Sequence, residues 1–429
     1  MKGSFRDFVK ELEEKKQLLR LKKKVSKNLE LAAVMKAKED TPIFAPEVGG
    51  AEFSAVGNVF ATRELVAQYL GCRVDEITRK LADAINHPSK PKSAKTSPAL
   101  ETTVSSLDKL PIPYHTEKDG GPYICSGIVI AKDKEYGTNC SFHRMMQLNG
   151  DRMVLRILPR HLDAFLERAG GALDVAVIIG SPINVMLASA VSTKIGTNEL
   201  EIANSLAPFE TVKLENGIEV PADVEFIFEA RITKELVNEG PFVDLTDTYD
   251  IVRRQHVMEV KKIHARKDAL FHVLLPGGME HKVLMGMPRE PTIFNEVNKV
   301  VECKGVSITP GGCSWLHGVV AIHKKSEEDG KKAIEAAFKG HASMKHVVVV
   351  DDDVDIHKME EVEWAIATRF QGDRGLVVKP HEKGSSLDPS ANPDTRETTK
   401  VGVDATAPLK NRAAFNRAKY KKVKIEDYL

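Results

Sequence analysis

The stretch EGPFVDLTDTYD at 239–250 holds four carboxylates, and Gly240-Pro241 stands between the first two, Glu239 and Asp244. On a regular strand, residues five apart point to opposite faces, whereas a bend at Gly-Pro lets them converge. Two carboxylates in one pocket split their pKa values, so that one keeps a proton near neutral pH and serves as a general acid. A solvated acidic turn is the competing reading, and spacing alone does not separate the two. Asp247 and Asp250 read as ordinary turn acids.

Asn139, His143 and Arg144 crowd the segment GTNCSFHRMMQLNGDRM at 137–153, which otherwise reads as strand. An arginine beside a carboxylate there would make a bidentate clamp; an exposed strand edge with a polar face accounts for the same residues. Asn139, His161 in ILPRHLDAF and Glu199 in GTNELEIA form a third set. An amide oxygen, an imidazole and a carboxylate suit Mg²⁺ or Mn²⁺. Their long separations lend the set no support, and a histidine at a helix start also serves as a cap. The acids of VVVVDDDVD read as a loop capping the next helix. LLPGGMEHKVLMG offers a Gly-Gly turn with Glu280 and His281, either lining a cleft or closing a hairpin.

These residues need elements to hold them. Phe5, Phe8, Val9 and Leu12 predict an amphipathic first helix, followed by a helix over 29–38, strand-like TPIFAP and SAVGNV, and helices near 63–70 and 74–84. HPSKPKSAKTSPALETT reads as a linker or surface loop. Over 123–269 come short β-type runs: ICSGIVIAK, RMVLRIL, VAVIIGS, INVMLASAV, ETVKL and VEFIFEARI, with HLDAFLERA as one clear helix. Such runs predict a barrel-like sheet. After 297, strand, helix, strand, helix and strand alternate, as in an α/β domain. The tail from 385 reads as loop-rich.

Lys+Arg 62 against Asp+Glu 61 leaves no electrostatic footprint for nucleic acid or an anionic membrane. The five cysteines are scattered without a CxxC, which predicts a reducing compartment. Strand-sized apolar runs and no signal-peptide core predict a cytoplasmic protein. Of 429 residues, 42% are hydrophobic, enough for two or three domains with real cores.

TNCSFHRM, ILPRH, ELEIA, EGPFVD, DDDVDIHKMEEVEWAIATRF, GSSLDPSA and KVGVDAT occur in this order over nearly the whole chain. Together they resemble the UbiD family of prenylated-flavin-dependent decarboxylases. The resemblance implies an α/β (α+β) protein: an N-terminal α/β region over 1–115, a central split β-barrel flavin-binding domain over 116–300, and a C-terminal α/β domain over 301–429 that mediates oligomerisation. It implies that Asn139, His161 and Glu199 hold Mn²⁺ (or Mg²⁺) against the phosphate of prenylated FMN, with K⁺ near the backbone of 188–191. Cofactor contacts fall to Asn139, Ser141, Phe142, His143, Arg144, Arg160, His161, Ser189 and Lys400. Arg144, Glu239 and Asp244 match the family's catalytic Glu-Arg-Glu network, with Asp as the last member. The implied reaction is non-oxidative decarboxylation of an α,β-unsaturated acid, with Asp244 as proton donor. The wording of EGPFVDLTDTYD and LPGGMEHKVLMG resembles the archaeal branch acting on trans-anhydromevalonate 5-phosphate to give isopentenyl phosphate, in a modified mevalonate pathway. A decarboxylase of a 4-hydroxybenzoate-type aromatic acid is the alternative. Implied partners are a flavin prenyltransferase as cofactor supplier and further copies of the chain, as dimer or hexamer. Two other classes are a metal-dependent hydrolase using Asn139, His161 and Glu199 with Asp244 as base, and a non-catalytic scaffold.

Overall fold

Helix Phe5–Glu14 starts at a reciprocal cap: the Ser4 hydroxyl accepts the N–H of Asp7, and the Asp7 carboxylate accepts that of Ser4. Phe5, Phe8, Val9 and Leu12 form its buried face, as their spacing predicts. The computed structural model describes residues 3–418 and 420–428. Strands Leu19–Arg20, Ile43–Ala45 and Ser54–Gly57 make a small sheet that Leu270–Val273, from far along the chain, completes. The N-terminal region is therefore stitched into the rest of the molecule. Within the expected surface segment, Lys92–Ser93 pairs in parallel with Glu210–Lys213.

The centre is a nine-stranded antiparallel sheet. Its path runs Gly137–Phe142, Ile128–Asp133, Leu173–Ile179, Phe226–Glu239, Arg253–Ala265, Arg152–Leu155, Met145–Gln147 and Tyr123–Ile124, with Thr102–Val104 on the side of Arg253–Ala265. The first strand on this path is joined to the last but one by His143 and Arg144 alone. So short a link spans at most about 11 Å between the Cα atoms of Phe142 and Met145. The sheet must curl until its two ends meet; beside that seam the His143 N–H donates to the Gly127 carbonyl at 3.3 Å, which extends the ladder between the first two strands of the path. This is the split-barrel architecture expected, and the seam carries Arg144.

The central region holds more helix than HLDAFLERA, which forms His161–Arg168. INVMLASAV, expected as strand, forms helix Ile183–Ser189, with every residue buried. An apolar run buried on all sides carries neither the helical nor the strand period, so periodicity could not decide it. ELEIANSL is helix Glu199–Leu206, capped by the Asn198 side chain. MEHKVLMG, expected in a hairpin or a turn, is helix Met279–Gly286 beyond the Gly-Gly turn.

The last region has a five-stranded sheet in the order Glu302–Ile308, His317–His323, His346–Asp351, Glu397–Ala405, Leu376–Lys383. Helices Asp329–Gly340 and Met359–Arg369 cover it: Val347 and Val349 pack on the side of Ile334, Val348 and Val350 on that of Val362 and Ala365. A strand covered on both faces is apolar throughout, which explains VVVV. Glu397–Ala405 lies inside this sheet, although the tail from 385 reads as loop; its alternating Thr and Lys residues conceal the strand. Asp351 and Asp353 do not cap the following helix but accept from Arg369 at its far end. Arg63 donates twice to buried Glu290, which also accepts from the Thr78 hydroxyl and the Ile308 N–H, so one carboxylate ties the N-terminal helices to the last sheet.

Candidate active site

Strand Phe226–Glu239 delivers Glu239 to the barrel seam and ends there. Gly240 takes φ +96°, a region open to glycine but not to residues with a Cβ, and the Gly240-Pro241 peptide is cis. The chain then forms a tight hairpin in which Phe242 pairs with Asp250 and Val243 with Tyr249. This bend makes the acids converge.

Arg144 receives them. Its Nε and one terminal nitrogen donate to the two oxygens of Glu239, both at 2.9 Å. Its other terminal nitrogen donates to Asp244 at 2.7 Å, and a further bond reaches Asp250 at 2.9 Å. The guanidinium lies over the Phe242 ring, 4.4 Å from its centroid. Glu239 also accepts from the Tyr123 hydroxyl at 2.9 Å. Burial opposes the Arg144 charge, but Glu239, Asp244 and Asp250 outweigh it and raise its pKa. Asp250, read from sequence as an ordinary turn acid, thus belongs to this cluster. Burial opposes its charge as well, but Arg253 and Arg144 hold its pKa below the usual carboxylate value. The Glu239 side chain is fully buried, whereas that of Asp244 is 20% exposed. Asp244 also accepts the Leu245 N–H. Of the three acids, it is the one best placed to exchange a proton with a molecule in the cleft.

Asn139 and Ser141 alternate along one strand and share a face, and His143 continues the alternation one residue past its end. The Asn139 amide donates to the Ser141 hydroxyl, which lies 3.0 Å from His143 Nε2, while Nδ1 lies 3.0 Å from the Arg156 carbonyl. One tautomer satisfies the whole chain, with Nδ1–H donating to Arg156 and Nε2 accepting from Ser141. Burial pushes the His143 pKa down to about 4, so the ring is neutral. The Asn139 amide oxygen has no donor among the described residues.

Two of the three expected metal ligands, His161 and Glu199, come together, and the third, Asn139, is the residue before Cys140. The Cys140 N–H donates to one oxygen of Glu199, and His161 Nδ1 lies 4.0 Å from the other. Burial pushes the Glu199 pKa up to about 7, because only hydrogen bonds face it there. A buried carboxylate without a lysine or arginine partner, an imidazole beside it and a free amide oxygen fit a hard divalent cation. Of the other expected contacts, Arg160 directly precedes His161, and Ser189 sits behind the strand, 3.1 Å from the Cys140 sulfur. Phe142 points the other way, into the core shared with the N-terminal helices, so its side chain is not on the Asn139 face. Lys400 lies on the last sheet, buried, donating to the Ala342 carbonyl at 2.6 Å.

Two groups had no signal of their own in sequence: Tyr123 sits in an unremarkable apolar run, and no pattern singles out Arg289. His281, whose turn could line a cleft or close a hairpin, proves half-buried, its Nδ1 accepting the Gly277 N–H; desolvation lowers its pKa against the pull of nearby Asp244.

Three family models match consecutive stretches: the 3-octaprenyl-4-hydroxybenzoate carboxy-lyase (UbiD) N-terminal domain over 9–85, the Rift-related domain over 89–279 and the C-terminal domain over 282–405. An anhydromevalonate phosphate decarboxylase of Methanothermobacter thermautotrophicus is 42% identical over 421 residues, covering 96% of this chain and 99% of that one. The UbiD-class enzyme HmfF of Pelotomaculum thermopropionicum, solved with FMN, superposes with TM-score 0.95 at 37% identity, covering both chains fully. An evolved dimeric form of HmfF with prFMN gives TM-score 0.91 at 36% identity, covering 99% of this chain and 100% of that one.

Proposed function

Because this chain belongs to the UbiD family of carboxy-lyases, we propose that it removes CO₂ from trans-anhydromevalonate 5-phosphate, giving isopentenyl phosphate, with prenylated FMN as cofactor. The observation that carries the chemistry is Arg144 held by three carboxylates, of which Asp244 is the most exposed and, unlike Asp250, is not also held by Arg253. When bound, the prenylated flavin supplies the electron sink for the breaking carbon–carbon bond. Arg144 spends four donor contacts on its acids, and a guanidinium has five N–H groups. The remaining N–H is available to orient the substrate carboxylate. Glu239, tied by Arg144 and Tyr123, fixes the guanidinium plane. Asp244 delivers a proton to the carbon that loses CO₂ and regains one from solvent through its exposed side.

Asn139, His161 and Glu199 would hold Mn²⁺ or Mg²⁺ at the cofactor phosphate, with Lys400 as a further cation and K⁺ by the backbone of 188–191. The domain limits 1–115, 116–300 and 301–429, a cytoplasmic location and assembly through the last region are part of the same reading. Edge strand Leu376–Lys383 supports assembly: Leu376 is 45% and Val378 52% exposed. Among the described residues, no helix is long and apolar enough to cross a membrane.

The test is co-production with a flavin prenyltransferase, followed by CO₂ release from the phosphorylated acid beside 4-hydroxybenzoate-type acids. Turnover of the phosphorylated acid is expected. Turnover of an aromatic acid alone would replace the substrate assignment, and activity with metal but no flavin would point to a hydrolase.

A further inference from the structure

Most buried arginines here have acids. Arg63 has Glu290, Arg144 has its three carboxylates, and Arg369 has Asp351 and Asp353. Arg289, 5% exposed on the turn Met287–Arg289, has none among the described residues. One terminal nitrogen donates to the Ser192 hydroxyl, the guanidinium lies 5.0 Å from the Trp315 ring centroid, and its buried Nε has no partner. The guanidinium of Arg160, too, makes no hydrogen bond or ion pair among the described residues. Burial pushes the Arg289 pKa down to about 9, with the charge of Arg160 adding to the shift. His341 completes the wall: its ring packs edge-on against Trp315 and its Nε2 lies 3.0 Å from the Trp315 carbonyl.

Ser192 ties the Arg289 guanidinium to the expected metal site. The next residue, Thr193, donates to Glu199, so the seat for an anion adjoins the expected metal site. That site needs no further cation. On the reading above, the divalent ion and Lys400 already offset Glu199 and the cofactor's phosphate dianion. Arg289 is left over, a guanidinium suited to a second phosphate monoester.

We propose that Arg289 is the receptor for the phosphate group of the substrate, and so selects a phosphorylated acid over its unphosphorylated counterpart. This rests on the decarboxylase reading and assigns its specificity to residues outside the Arg144 cluster.

The experiment uses flavin-loaded wild type, Arg289→Gln and Arg289→Lys. Arg289→Gln should raise KM for the phosphorylated acid roughly 30-fold, as loss of a charged hydrogen-bonding group does. Arg289→Lys should recover part of that loss, and turnover of the dephosphorylated acid and flavin content should not change. Calorimetric titration with inorganic phosphate and isopentenyl phosphate should show the same loss in Arg289→Gln. Reduced flavin or metal retention with unchanged KM would give the guanidinium to the cofactor instead and overturn the proposal. Equal losses for phosphorylated and dephosphorylated acids would reduce Arg289 to a packing residue. If wild type turns over no phosphorylated acid, the reaction assignment falls, and phosphate titration of the same proteins still decides the receptor.

Discussion

Arg144 donates one 2.7 Å hydrogen bond to Asp244, while it grips Glu239 through two. The two acids are therefore not equivalent. A carboxylate held twice and fully buried is a fixture, and one held once with an open side is a reagent. Asp244→Asn should keep flavin content and lower CO₂ release by at least about 100-fold, the usual contribution of a general acid. Normal turnover by that variant would end the proton-donor assignment.

Removing the fixture has a different signature. Glu239→Ala leaves a buried guanidinium without its two-bond partner and strands the Tyr123 hydroxyl, a loss of about 3–5 kcal/mol. Urea unfolding should show that loss, together with loss of activity. Asp250→Asn should cost less, because the Asp250 side chain is 15% exposed. Equal costs for the two variants would contradict the order of burial.

His161→Ala should lower both Mn²⁺ and flavin retained after purification, measured by elemental analysis and absorbance. Glu199→Gln should do the same. Retention at wild-type levels in both would remove these residues from the metal site.

Several histidines make the fold acid-sensitive well above the carboxylate range. Burial pushes His115 down to about 3, with His281 adding, and pushes His317 down to about 4, with His346 adding. Each stays neutral when folded but takes up a proton once unfolded, so stability falls as pH drops from about 6.5 toward the folded values. The slope is about 1.4 kcal/mol per pH unit for each such histidine. His115→Leu should flatten the pH dependence of the urea midpoint between pH 6.5 and 5 by about one proton. An unchanged slope would mean that His115 titrates normally in the fold.

What sequence reasoning reached, and what it missed, follows from range. Glu239 and Asp244 were legible because Gly240-Pro241 marks the bend beside them. Asp250 was not, since its approach to Arg144 depends on the pairing of Phe242 with Asp250, which no local pattern encodes. The family motifs pointed to Asn139, His161 and Glu199, whose separations gave nothing. Arg289 stayed hidden because a missing acid partner is a three-dimensional property. The first helix and the VVVV strand were plain from periodicity and length. INVMLAS and the strand at Glu397–Ala405 were not, one because burial on all sides erases periodicity, the other because its polar residues look like those of a loop.

The two-residue link through His143 and Arg144 makes the arginine a clasp. The curl of the sheet and the position of the guanidinium are one geometric quantity, set by how far apart the barrel's lips are held. One residue inserted there would lengthen the tether and let the lips part, carrying Arg144 away from its acids without altering any side chain of the cluster. Chain length at this point is thus as strict a requirement for the chemistry as residue identity.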